Sequence, residues 1–177
     1  VIDLEGLANH KGSAFGALGQ NEQTSQEQFE NNLAEELIHI SAVHSYFWIE
    51  DESQRIGTNM LPITFFKNMR NSICYFIDIP FDARLQFIVQ AYGKFAVADL
   101  IAATLRIQKR LGGLETKTAV NFLVENNIEG AFSILLKYYD KVYLKNIEAA
   151  AIPKFKTEKI VASEVHSIHN AGLLMHL

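Results

Sequence analysis

The hydrophobic pattern changes character near residue 80. Before it, apolar residues gather in short runs at Val1–Leu4, Tyr46–Ile49 and Ile73–Ile79, each ending in acidic or turn-forming residues. That length and bounding predict strands. Between the first two lies a Gly-rich stretch, Gly6 to Thr24, followed by Ser25-Gln26-Glu27-Gln28. In such a capping box Ser25 and Gln28 each satisfy an otherwise free backbone N–H, so a helix is predicted from about Gln26. Phe29, Leu33, Leu37 and Ile40 supply an apolar stripe at helical spacing, with Glu27, Glu30, Glu35 and Glu36 largely off it. This helix is expected to pack on a sheet. Pro62 suits the first position of a short helix through about Met69, because its missing N–H costs nothing there. Ile73–Ile79 is apolar on both strand faces, as a central parallel strand covered by helices would be.

Strand, helix, strand, helix, strand is a βαβ order, so residues 1–80 are expected to form an α/β core. From Asp82 to about Tyr143 only helical periodicity remains, carried by Leu85, Ile88, Val89 and Tyr92, then Leu100, Ile101, Leu105 and Leu111, then Val120, Phe122 and Leu123, then Phe132, Leu135, Leu136 and Tyr139. Gly93, Gly112-Gly113 and Asn126-Asn127 punctuate four helices, which predicts a helical subdomain over residues 81–145. The tail, residues 146–177, offers a last strand at Ile160–Ala162 and a last helix at Glu164–Leu174.

Composition bounds the class. The 177 residues are 49% hydrophobic and 20% charged, ordinary globular usage that excludes a disordered chain or a fibre. The single cysteine, Cys74, excludes an internal disulfide framework and any CxxC motif, and it suits a reducing compartment such as the cytoplasm. No run approaches the roughly 18–20 apolar residues of a membrane span, so no membrane partner is expected. The chain opens at Val1 without a methionine, inside what reads as a strand, and is expected to be part of a longer one. Its net charge of −4 divides unevenly: residues 1–90 sum to −7 and residues 91–177 to +3. Late-lying cations favour a polyanion partner, although solvated helix faces account for them equally well.

Four segments carry candidate chemistry. Asp3 and Glu5 end the first strand and share a face on a regular strand. Acids at such ends can hold Mg²⁺ or a water, with Asp3 the candidate ligand, though an ordinary capped strand end reads the same way. The loop Gly6–Gly16 combines glycines with Asn9, His10, Lys11 and Ser13. Asn9, His10, Lys11, Gly12, Ser13 and Gly16 could present backbone N–H groups and a cation to phosphate oxygens. It is not a Walker A loop, since GxxxxGK[ST] occurs nowhere in the chain. Glu50, Asp51 and Glu52, followed by Ser53 and Arg55, crowd three carboxylates at the second strand end, which calls for a cation or Arg55 to relieve them. A parallel sheet would bring that end beside Asp3 and Glu5. Arg106, Lys109 and Arg110 precede Gly112-Gly113. They suit a helix C-terminus or a grip on phosphates. Cys74 lies mid-strand and reads as a buried, inert thiol. His39, His44, His166, His169 and His176 show no ligand pattern.

Three ordered blocks, DLEGLANHKGSAFG at Asp3–Gly16, SQEQFENNLAEEL at Ser25–Leu37 and YFWIEDESQRIG at Tyr46–Gly57, resemble the C-terminal, nucleotide-binding-type domain of tRNA 2-selenouridine synthases. RLGG at Arg110–Gly113 and LLKYYDKVY at Leu135–Tyr143 resemble the same family. The resemblance implies an α/β fold built on an incomplete P-loop-NTPase-like parallel sheet with flanking helices, plus the helical C-terminal subdomain. It implies a cytoplasmic transferase acting on the wobble uridine of tRNA. There 2-thiouridine is geranylated with geranyl diphosphate and then converted to 2-selenouridine with selenophosphate. It also implies an N-terminal rhodanese-like domain with a catalytic cysteine and a Walker A loop, neither of which is in this chain, so the chain alone is expected to be inactive. Cys74 matches no catalytic motif of the family. On this reading Asp3, Glu5 and Glu52 are catalytic, and the Asn9–Gly16 loop and Glu50–Arg55 line a diphosphate or selenophosphate site. Arg106, Lys109 and Arg110 hold tRNA. A small-molecule kinase or NTPase of the P-loop class, and a non-catalytic tRNA-binding module, are the competing readings.

Overall fold

The computed structural model describes residues 1–150 and 157–175, with side chains described to Lys145 and again from Thr157. It divides into two compact units, Val1–Arg70 and Asn71–Leu177.

In the first unit the two expected strands shrink to one contact. Ile2 N–H donates to Trp48 O at 2.9 Å, and Ile2 and Ile49 form a single parallel bridge. The chain leaves strand geometry there because the Asp3 carboxylate accepts the Gly6 N–H at 2.6 Å and caps a short helix, α1 (Leu4–Ala8). Asp3 and Glu5 therefore do not alternate along a strand. Tyr46 and Phe47 are exposed. Helix α2 (Gln26–Ser41) starts where the capping box predicts, with Ser25 Oγ accepting the Gln28 N–H at 3.1 Å. Its stripe buries Phe29 and Leu33, and the sheet it packs on, beside α1, is a two-stranded hairpin.

That hairpin, β1 (Arg55–Ile56) and β2 (Asn59–Met60), pairs Ile56 with Asn59 across a Gly57-Thr58 turn. Gly57 sits at φ 61°, a left-handed conformation that glycine adopts without steric cost. Ile2, Leu4, Ala8, Phe29, Leu33, Ile56 and Leu61 form one buried cluster, against which Phe65, Phe66 and Met69 of α3 (Ile63–Arg70) pack.

Two glutamines fasten the polar backbone around this cluster. Gln23 Nε2 donates to Ala8 O (3.0 Å), Ile56 O (3.1 Å) and Asn59 Oδ1 (3.0 Å), while its Oε1 accepts the Thr58 N–H at 2.8 Å. Buried Asn59 completes the link by donating to Thr24 O at 3.0 Å. The Gln26 amide pairs with both backbone groups of Met60, at 2.7 and 2.8 Å.

In the second unit β3 (Cys74–Asp78) runs parallel to β4 (Thr157–Val161), with Cys74 opposite Thr157 and Asp78 opposite Val161. The strand expected at the centre of a sheet with the first two strands has one partner among the described residues, and it comes from the tail. All five residues of β3, Cys74 included, are accordingly half-buried. Helices fill the predicted stretch, α4 (Phe81–Tyr92), α5 (Val97–Arg106), the short α6 (Gln108–Leu111), α7 (Gly113–Val124) and α8 (Ile128–Ala150), but there are five of them and not four, because the stretch expected to run on to Leu111 breaks at Ile107 into α5 and α6. Both α4 and α7 pack on α8, and α5 on α7, burying Leu100, Ala103, Leu123, Phe132 and Leu135. Arg84 ties this array to the sheet, donating to Ile79 O at 2.9 Å and to both carboxylate oxygens of Asp140 at 2.5 and 3.0 Å. The tail strand is β4, and the tail helix is α9 (Ser167–Leu174), capped by His166. Residues 151–156 of the expected tail, and His176, lie outside the described residues. The chain is thus α/β, with a small parallel sheet and flanking helices. Among the described residues no helix is long and apolar enough to cross a membrane.

Gln23 joins three separate backbone segments, so Gln23→Ala should lower the unfolding free energy by about 2 kcal/mol, roughly the effect of orphaning a buried carbonyl and an amide. A shifted urea midpoint at unchanged slope would show it; an unmoved midpoint would mean that water replaces the amide without loss.

Candidate active site in the first unit

The Ile2–Ile49 bridge sets the register that brings the acids together. Three residues beyond Ile2, the Glu5 N–H donates to Glu50 Oε2 at 3.0 Å. The Glu5 and Glu52 carboxyl groups are close enough to interact electrostatically. The loop approaches from the other side: Gly12 is at φ 63°, and a Cβ there would lie 2.6 Å from Glu52 Oε1. A side chain there would displace the Glu52 carboxylate and strain the left-handed backbone, so glycine lets the loop pass close to it.

Burial, followed by the charges of Glu52 and Glu50, lifts Glu5 from 4.5 to about 7. Burial is also the main cause that raises Glu52, which the Glu50 charge raises further, and it raises Glu50, against which the Glu5 N–H works. Crowded, half-buried carboxylates cannot all ionise cheaply, so burial and mutual repulsion favour the protonated form of Glu5 and raise Glu50 and Glu52 as well. A carboxyl poised in this way can serve as a general acid or base.

Five amides of the loop that was expected to offer them to an anion are bonded within the protein. His10 N–H donates to Glu5 O (3.0 Å), Lys11 N–H to Gly16 O (3.0 Å), Ser13 N–H to Lys11 O (2.6 Å), Gly16 N–H to Ser13 O (2.9 Å) and Phe15 N–H to Ser13 Oγ (3.2 Å). Asn9, left-handed at φ 49°, donates its side chain to Glu22 O and holds the loop base. His10 is buried, while Lys11 is exposed.

Arg55 does not relieve the acids. Its Nε donates to Gly57 O at 2.9 Å and Ser53 Oγ donates to Arg55 O at 2.6 Å, so both close the hairpin. The cation beside the acids is Arg70, at the end of α3, which pairs with Asp51 and donates to Glu52 O at 2.5 Å with its guanidinium over the Phe66 ring. Sequence reasoning missed Arg70 and Gln23; the basic last turn of α3 was the one available signal for the former. Among the described residues no three His, Cys, Asp or Glu side chains are arranged to hold a metal ion, and Asp3 Oδ1 is engaged by Gly6. Arg106, Lys109 and Arg110 lie in the second unit, all exposed, at the end of α5 and on α6. His39, His44, His166 and His169 are exposed.

A family model described as the tRNA 2-selenouridine synthase AAA domain matches residues 1–165. The chain belongs to this family. The tRNA 2-selenouridine synthase of Shewanella frigidimarina is 35% identical over 178 residues, 83% of this chain and 48% of its own length. That of Bdellovibrio bacteriovorus is 31% identical over 210 residues, 92% of this chain and 55% of its own. That of Hydrogenovibrio crunogenus is 37% identical over 124 residues, 64% of this chain and 34% of its own. The chain spans about half the length of the synthases from Shewanella frigidimarina and Bdellovibrio bacteriovorus. No solved structure matches it.

The raised Glu5 carboxyl makes a stability prediction whose sign is fixed. Between pH 4.5 and about 7 the folded chain holds a proton that the unfolded chain has lost. The stabilisation is complete below the unfolded value and disappears as pH rises through the folded one. Urea midpoints should fall across this window in the wild type, and Glu5→Gln should flatten the decline. An equally steep decline in the variant would remove Glu5 as the proton's site.

Proposed function

We propose that this chain is the C-terminal part of a cytoplasmic transferase that converts the wobble 2-thiouridine of tRNA to 2-selenouridine through a geranylated intermediate. Geranyl diphosphate and selenophosphate are the co-substrates, and a rhodanese-like domain of the same protein is the partner. Family membership supports the reaction class. The convergence of Glu5, Glu50 and Glu52 beneath Gly12 supports this unit as a place where protons move.

Replacing sulfur by selenium at a uracil carbon requires a thiolate to leave, and a protonated carboxyl near neutral pH can protonate it. Ionised carboxylates repel a diphosphate or selenophosphate, so Glu50 and Asp51 do not bind such an anion directly. In this reading Lys11 attracts it and Ser13 can hydrogen-bond it. Glu5, coupled to Glu52, supplies and recovers the proton, and Arg70 holds Glu52 in place. Asp3 serves by capping α1 under Glu5. The P-loop-like character of the domain is part of the same proposal. Arg106, Lys109 and Arg110 contribute charge for the tRNA backbone, and the 177 residues alone are expected to be inactive.

In the full-length enzyme, Glu5→Gln and Glu52→Gln should each lower turnover by about 10²–10⁴-fold, the usual effect of losing a general acid or base, with tRNA affinity retained. The alkaline limb of the pH–rate profile should go with them. Wild-type turnover in both variants would overturn the assignment.

A further inference from the structure

Lys137, Lys141 and Lys145 recur every fourth residue on α8, and all three are exposed. At about 1.5 Å rise and about 100° per residue, successive lysines stand about 6 Å apart along the axis and drift by only about 40° per step. That spacing is comparable to the distance between neighbouring phosphates on an RNA strand. The acid among them, Asp140, is already answered: Arg84 engages both of its carboxylate oxygens, at 2.5 and 3.0 Å. Among the described residues no acid pairs with these lysines, so their charge is turned to solvent. Lys137 is steadied by the Phe81 ring, with Nζ 5.9 Å from the centroid. The same lysines, with Asp140 and Leu144, line an open concavity of about 540 Å³. In a chain of net charge −4, residues 137–159 carry six lysines against three acids.

We propose that this stripe is a binding face for the phosphate backbone of tRNA, on a different helix from Arg106, Lys109 and Arg110. It rests on the reading of the whole protein as a tRNA-modifying enzyme. Each ammonium that neutralises a phosphate releases a counterion, so the face contributes affinity without base specificity and does so most at low salt.

The test is tRNA binding by the full-length enzyme over a range of salt, with the triple variant Lys137→Gln, Lys141→Gln, Lys145→Gln and its Lys→Arg counterpart. Three lost phosphate contacts should reduce the slope of log affinity against log salt by about 2–3, and the arginine triple should retain the wild-type slope. A wild-type slope and affinity in the glutamine triple would overturn this inference alone, whereas a wild-type enzyme that binds no tRNA would overturn the functional reading with it. Loss of binding to phosphatidylserine vesicles with tRNA binding intact would assign the stripe to a membrane surface and overturn it too. An unchanged thermal melt of the glutamine triple ensures that the readout is binding and not folding.

Discussion

One backbone hydrogen bond, from Ile2 N–H to Trp48 O, organises the first unit. It joins segments almost fifty residues apart and fixes their register. Glu5 then meets Glu50 and Glu52 because both chains turn away from the bridge at the same level. The force that holds this arrangement is apolar: Ile2, Leu4 and Ala8 are fully buried with Phe29 and Leu33. The carboxyl groups would separate if left to themselves. The core beneath them opposes that separation, and protonation lowers its cost.

The polar groups divide the remaining work between fastening and exposure. Gln23, Asn59, Asn9 and Arg55 each donate to backbone carbonyls and fasten the fold there. Arg70 stands between the two roles, since it holds Asp51 and the Glu52 backbone carbonyl beside the acids. The second unit is organised differently. There the charged groups outside the Arg84–Asp140 and Lys159–Asp78 pairs are mostly exposed on helices, and the excess is positive.

What the sequence discloses follows from how local each feature is. The start of α2 was legible because Ser25 and Gln28 are neighbours, and α4, α5, α7 and α8 because an apolar stripe repeats within each, whereas the break at Ile107 that separates α6 carries no such stripe. Strand partners were not legible. Nothing at Ile73–Ile79 indicates that its neighbour is Thr157–Val161, and the Asp3 carboxylate that ends the first strand does so through a side-chain direction. In the site, Glu5, Glu50 and Glu52 could be read from acids at two strand ends. Arg55 was given the role that Arg70 fills, because sequence proximity says nothing about a side chain that curls back on its own hairpin. The loop Asn9–Gly16 had the composition of an anion cradle, but its hydrogen bonds close inward. The blocks at Asp3–Gly16, Ser25–Leu37 and Tyr46–Gly57 identified the family where single residues could not identify the geometry.

The Gln26 side chain has a further consequence. Its amide gives one donor and one acceptor to Met60, the same pair that an adjoining strand would give. A two-stranded hairpin otherwise presents an open edge to which another chain can add. Here a side chain from the neighbouring helix occupies part of that edge. The hairpin is shielded at Met60 from recruitment by a foreign strand, and the protection folds together with α2.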